Sequence, residues 1–125
     1  MIQLYKRMQR MREKYVDTLA KLYDYATTVY SKKQYTQWYD TKKGGYTYSS
    51  FKGKCDSLSK KLTQYGIGAG DKVAILSQSM PNWSVAFFSV VPFGRIAIPI
   101  LPDSSENEVT NILQHSESKV IFVSQ

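Results

Sequence analysis

Apolar residues return every three or four positions at Leu4, Met8, Met11, Tyr15, Leu19 and Leu22, a spacing that marks one stripe of a helix. Met1 to Tyr30 therefore reads as one helix, or two with a break near Asp17. The pattern then changes. Gln34 to Tyr39 is rich in strand formers and runs into Lys42-Lys43-Gly44-Gly45, after which Tyr46-Thr47 can return as a partner strand, so residues 31–48 are expected to form a hairpin. Thr47 can cap a helix in which Phe51, Cys55, Leu58, Leu62 and Tyr65 share a face, and Gly66 ends it.

Beyond that point short apolar runs alternate with helical spacing. Lys72-Val-Ala-Ile-Leu76 is nearly continuous, as in a strand covered on both faces of a parallel sheet. Trp83, Ala86, Phe87, Val90 and Val91 form one helical stripe, and Val85 with Phe88 another, so this helix is expected to be wrapped on most sides; Pro81 suits its first turn, and Pro92 with Gly94 stops it. Ile96 to Ile100 is the next strand, with Pro99 placing its end at an edge or outside the ladder. Ser105 and Glu108 have the spacing of a capping box for a helix facing inward through Val109, Ile112, Leu113 and Ser116, and Val120 to Val123 is a last strand. The fold class is thus α/β: an N-terminal helix and β-hairpin followed by β-α-β-α-β units of a parallel sheet with right-handed crossovers. The organisation expected is a single domain over 1–125, with a helical lead at 1–30, the hairpin at 31–48 and the α/β units at 49–125.

The net charge of +7 changes this picture only once it is located. Residues 1–66 hold 14 Lys and Arg against 5 Asp and Glu, and residues 67–125 hold 3 against 5, so the basic character belongs to the first half. Ten tyrosines interleave with it, as in single-strand nucleic-acid binders. Lys60-Lys61 nevertheless falls on a helix and Lys32-Lys33 and Lys42-Lys43 in or beside turns, the usual sites of solvated lysines, and nucleic acid is not the expected partner. The lead helix has two readings. Its apolar stripe, flanked by Lys6, Arg7, Arg10, Arg12 and Lys14, suits peripheral contact with an anionic membrane, but Tyr5, Lys6 and Arg7 interrupt the stripe and favour packing or solvation. Its start lacks the apolar block of a secretion signal, and no apolar run is long enough to span a bilayer, so a cytoplasmic protein is expected. Cys55 is the single cysteine, which excludes an intrachain disulfide and a cysteine metal cluster.

Candidate chemistry is sparse. Gly66-Ile67-Gly68-Ala69-Gly70 has the composition of a phosphate loop but closes a helix before a strand, whereas phosphate loops follow a strand and open a helix. The loop after the first central strand, Ser77 to Asn82, has the right position for a ligand but no glycine to admit a phosphate to the backbone. A Ser-His-Asp arrangement would need His115, the single histidine, with Ser77 or Ser79 and Asp103 or Asp71, and neither serine lies in a nucleophile elbow. Asp103, Glu106 and Glu108 bunch at a helix start without calcium-loop spacing, and Cys55 lies on a buried stripe as a small core residue.

From about Leu19 onward the chain resembles the N-terminal region of the adenylate-forming superfamily, closest to bacterial long-chain fatty-acid–CoA ligases. The segments that carry the resemblance are Thr47 to Phe51 (TYSSF), Tyr65 to Asp103 (YGIGAGDKVAILSQSMPNWSVAFFSVVPFGRIAIPILPD) and Ser105 to Ser124 (SENEVTNILQHSESKVIFVS). Arg95 stands where a small residue is more usual, and Met1 to Val16 lies outside the resemblance or only weakly inside it. The resemblance implies a two-step reaction in which a carboxylate attacks the α-phosphate of ATP, with Mg2+, and the thiol of CoA then displaces AMP. It also implies that this stretch is a partial domain, the scaffold of such an enzyme, with the phosphate loop, adenine and ribose contacts and catalytic lysine elsewhere. No catalytic, cofactor-binding or metal-binding residue is assigned within 1–125, and the stretch alone is expected to be inactive, to need no cofactor and to self-associate. The competing reading is a stand-alone α/β module whose basic N-terminal half meets a protein or membrane partner.

Overall fold

The computed structural model describes residues 1–7, 16–37 and 44–124. Residues 2–7 are helical and residues 16–18 are not, so an interruption falls at Asp17; Met8, Met11 and Tyr15 of the expected stripe lie outside the described residues, as do Trp38-Tyr39 and Lys42-Lys43. Helix α1 (Leu19–Val29) starts at Thr18, whose hydroxyl accepts the Lys21 N–H. Its buried face is not the predicted one. Tyr23 and Thr27 are buried, whereas Leu19 and Leu22 are 42% and 37% exposed. The reason is polar: the Tyr23 hydroxyl donates to Asp56 Oδ1 at 2.7 Å, which lets the ring sink among Phe51, Phe88 and Phe93 without stranding a donor.

Strands β1 (Gln34–Thr36) and β2 (Tyr46–Thr47) pair antiparallel. Gly45 is required at their junction, since its φ is +79° and a Cβ there would lie 2.0 Å from the Thr36 carbonyl oxygen. Helix α2 (Tyr48–Gln64) is capped by Thr47 and buries Phe51, Cys55, Ser59 and Leu62. The inward assignment of Tyr65 is corrected: the helix closes at Gln64, Tyr65 occupies the C-cap, and its ring is 80% exposed.

Strands β3 (Lys72–Leu76), β4 (Ile96–Ile100) and β5 (Val120–Val123) form a parallel sheet in the order β4-β3-β5. The continuous apolar run takes the centre, where Val73, Ala74 and Ile75 are wholly buried. Helix α3 (Pro81–Val90) and a 3-10 turn (Val91–Phe93) join β3 to β4, ending at Gly94 with φ 80°. Helix α4 (Glu106–Ser116) joins β4 to β5 and carries the capping box, with Ser105 and Glu108 each bonded to the other's backbone N–H.

Crossovers of one hand in this strand order put α3 and α4 on opposite faces. On the first face Val73, Ala97, Val120 and Phe122 pack with Leu62, Ile67 and Val90, so α2 and α3 cover it together. Ala74, Ile98 and Ile121 alternate to the second face, where α4 touches β4. No residue of α4 is buried; Val109, Ile112, Leu113 and Ser116 face inward but remain half-exposed.

Arg95 binds the first face together. It is 6% exposed, and all five guanidinium N–H groups have oxygen partners. Nε donates to the Ile67 carbonyl at 2.9 Å, Nη1 to Ser59 Oγ at 2.7 Å and the Ser89 carbonyl at 3.4 Å, and Nη2 to the Ser59 carbonyl at 3.2 Å and Thr63 Oγ1 at 2.7 Å. Burial lowers its pKa and the field of Asp71 raises it in return. Nothing in the spacing of apolar residues announced this side chain; the signal was its placement as a charge within the Val90 to Ile100 run.

Candidate functional site

In parallel sheets ligands gather at the carboxyl ends of the strands, where flanking loops diverge. There lies a groove of about 510 Å³. Ile75 of β3 and Phe122 of β5 meet Leu58 of α2 and Trp83 and Ala86 of α3 along its walls. Trp83 is stacked on Phe87 one turn later, with ring centroids 5.3 Å apart. Ser77, Asn82 and Ser124 supply its polar atoms.

Neighbouring bonds hold these polar groups. The Ser124 N–H donates to the Leu76 carbonyl at 3.2 Å, the Gln78 N–H to Ser124 Oγ at 3.3 Å, and the Tyr46 hydroxyl to Asn82 Oδ1 at 2.5 Å, so the hairpin, β3 and β5 share one rim. Among the described residues, none that lines it is ionisable. The groove suits an apolar group under a few hydrogen-bonding atoms, and among the described residues its lining holds no general acid, no general base and no charge to offset a phosphate.

The remaining candidates do not converge on it. Gly66 to Gly70 sits at the amino end of β3 with the amides of its three glycines and Ile67 engaged: Gly66 N–H donates to Thr63 O, Ile67 N–H to Leu62 O, Gly68 N–H to Asp71 Oδ2 and Gly70 N–H to Gly94 O. Asp71 also pairs with Lys119 at 2.7 Å, which with the Gly68 N–H holds its carboxyl below the usual carboxylate range. His115 is exposed at the carboxyl end of α4 and thus at the amino edge of the sheet, whereas Ser77 and Ser79 follow the opposite edge. No Ser-His-Asp constellation is assembled from them. Glu108 is committed to its cap, and among the described residues no three His, Cys, Asp or Glu side chains group as metal ligands. Cys55 is fully buried, its Sγ 3.7 Å from the Val85 carbonyl oxygen, and burial pushes its thiol up to about 12, so the thiolate is absent at neutral pH.

A parallel α/β layer with an open groove at its strand ends is the class of architecture that the fold defines. Comparison with known proteins makes the class particular. The sequence profile of the family described as AMP-binding enzyme matches residues 25–125, and the chain belongs to that family. A long-chain-fatty-acid–CoA ligase FadD15 of Mycobacterium bovis is 36% identical over 61 residues, which are 49% of this chain and 10% of the relative. A 4-hydroxybutyrate–CoA ligase 2 of Metallosphaera sedula is 31% identical over 80 residues, 64% of this chain and 15% of the relative. The crystal structure of the N-terminal domain of FACL13 from Mycobacterium tuberculosis superposes with a TM-score of 0.78 at 26% identity, covering 86% of this chain and 27% of that one. The chain thus spans about a tenth to a seventh of the length of these curated relatives, and its fold is that of N-terminal subdomains of adenylate-forming enzymes. Among the described residues no helix is long and apolar enough to cross a membrane.

Proposed function

We propose that this chain is the N-terminal scaffold of an ATP-dependent, AMP-forming fatty-acid–CoA ligase of the cytoplasm, and that it takes no catalytic part by itself. The observation that carries the reading is the family match across residues 25–125, joined to a groove whose described lining holds no ionisable group. In the parent enzyme ATP, CoA and a fatty acid are the substrates, and Mg2+ offsets the triphosphate charge. Neither the groove nor any described acidic cluster fits the metal or the triphosphate, so every chemical step belongs to other parts of the parent. The long-chain preference rests on the FadD15 likeness, and the 4-hydroxybutyrate ligase is the reason it must be measured. The role of this stretch is to hold one apolar wall and the parallel strands against which the rest of the enzyme assembles.

The test is ATP–pyrophosphate exchange and calorimetric ATP titration on residues 1–125, beside the open reading frame extended beyond Gln125. Exchange with a long-chain acid in the extended protein alone is the expected result. Saturable micromolar ATP binding by residues 1–125, displaced by an acyl-adenylate analogue, would refute the scaffold role. A stop codon directly after Gln125 in the native gene would refute the ligase reading.

A further inference from the structure

We infer that a slot between α1, the hairpin and α2 binds a small aromatic carboxylate. The slot measures about 250 Å³ and, among the described residues, shares no wall with the groove at the strand ends. Five aromatic rings line it. Tyr23, Phe51 and Phe88 pack on one another with centroids 5.7 to 6.1 Å apart, and Tyr35 lies 4.2 Å from Phe51 and 5.0 Å from Tyr48. Ala26, the smallest side chain of the lining, leaves room among them. An apolar cavity of about 150 Å³ holds benzene and drug-sized pockets begin near about 300 Å³, so this one fits a single ring with a short arm. A ring among rings gains edge and offset contacts that an alkyl chain does not.

The charge beside the slot is positive. The Tyr48 N–H donates to the Lys33 carbonyl at 3.0 Å and the Ser49 N–H to the Ser31 carbonyl at 2.9 Å, which ties the turn after α1 to the first turn of α2. Lys33 Nζ lies 5.0 Å over the Tyr30 ring, and that ring is 5.9 Å from Tyr48 in the slot wall. Lys32 and Lys33 are exposed, and among the described residues neither forms an ion pair. The other charges of these elements do not cancel them. Lys21 and Lys52 are paired with Asp17 and Asp56, and Lys54 is exposed on α2. Asp24 lies two residues from both Leu22 and Ala26, hence on another side of α1, and α3, which brings Phe88, carries no charge. An aromatic ring in the slot with its carboxylate held in solvent beside Lys32 and Lys33 satisfies both the lining and the rim. This inference does not depend on the ligase reading.

Titration of residues 1–125 with phenylacetate, followed by nuclear magnetic resonance, tests it. We expect saturation, with Overhauser contacts from the ligand ring to the methyl groups of Leu22, Ala26 and Thr27, which line the slot. Phenylacetate should bind more tightly than neutral phenylethanol, and phenylethanol more tightly than cationic phenethylamine. Lys32→Gln with Lys33→Gln should weaken phenylacetate about fivefold, as for two exposed charge contacts, and leave phenylethanol unchanged. Ala26→Phe fills the slot and should abolish binding of both; if dichroism shows that this variant does not fold, the Overhauser contacts of the wild-type chain decide the location. Absence of saturation, contacts to other methyl groups instead, or phenylacetate binding unchanged by the lysine substitutions would each overturn the proposal. Phenethylamine bound as tightly as phenylacetate would overturn the anionic assignment, and octanoate bound more tightly would overturn the aromatic one.

Discussion

The two faces of β3 are covered by layers of the same kind and of different quality. On one, α2 and α3 close over Val73 and Ile75 and enclose a guanidinium whose five donors are all taken. On the other, α4 has the better local signals, a complete capping box and two acids in its first turn, yet buries no residue. Local capping specifies where a helix forms, while the number of neighbours decides how much it stabilises the fold. The densely packed layer should therefore hold most of the stability, and the capped one should tolerate change.

The largest effect should come from the guanidinium. Arg95→Ala leaves the Ile67 and Ser59 carbonyls and two hydroxyls short of donors around a cavity, and should cost about 3 kcal/mol or more in denaturant unfolding. Arg95→Lys keeps a charge but not the fork, and should recover less than half of that. Equal loss for the two substitutions would show that the fork does not matter.

The same deletion made in each layer sharpens the contrast. Val90 is wholly buried and Val109 half-exposed, so Val90→Ala should cost about 2 kcal/mol and Val109→Ala about 0.5 kcal/mol. Similar losses would mean that α4 is better covered than its exposure indicates. Between these in interest but smaller than the core change, Ser105→Ala removes the cap and should cost about 1 kcal/mol, with loss of protection confined to α4.

The smallest effect is electrostatic. The folded carboxyl of Asp71 titrates below its unfolded range, so its contribution is complete above the unfolded value, near 3.9, and is lost as pH falls through the folded one. The thermal midpoint of the wild-type chain should fall more steeply below about pH 4 than that of Asp71→Asn. Parallel profiles would show that the Lys119 and Gly68 contacts do not persist in solution.

Much of the architecture was readable from spacing. The hydrophobic run of β3, the stripe from Phe51 to Leu62, Pro81 in the first turn of α3 and the Ser105–Glu108 box are local signals, each interpreted by the few residues around it. Tyr23 was not readable this way, because its burial depends on Asp56 of another helix accepting a hydrogen bond from its hydroxyl. Tyr65 failed for a different reason: periodicity continues past the point where backbone geometry ends the helix. The groove was legible as a position, the loop after β3, but not as a cavity with Leu58 and Phe122 in its walls.

By itself the sequence determined the order and type of the elements, since helical and strand periods, caps and turn residues act over a few positions. It also determined that Cys55 would be an unreactive core residue, because its stripe position requires burial. Only the tertiary structure decided that β4 and β5 flank β3, that Arg95 gathers α2, α3 and the glycine loop, and that one face of the sheet is left half-covered. Those outcomes depend on contacts between residues tens of positions apart, and the free energy of a contact belongs to the pair that makes it, not to either residue's neighbours in the chain.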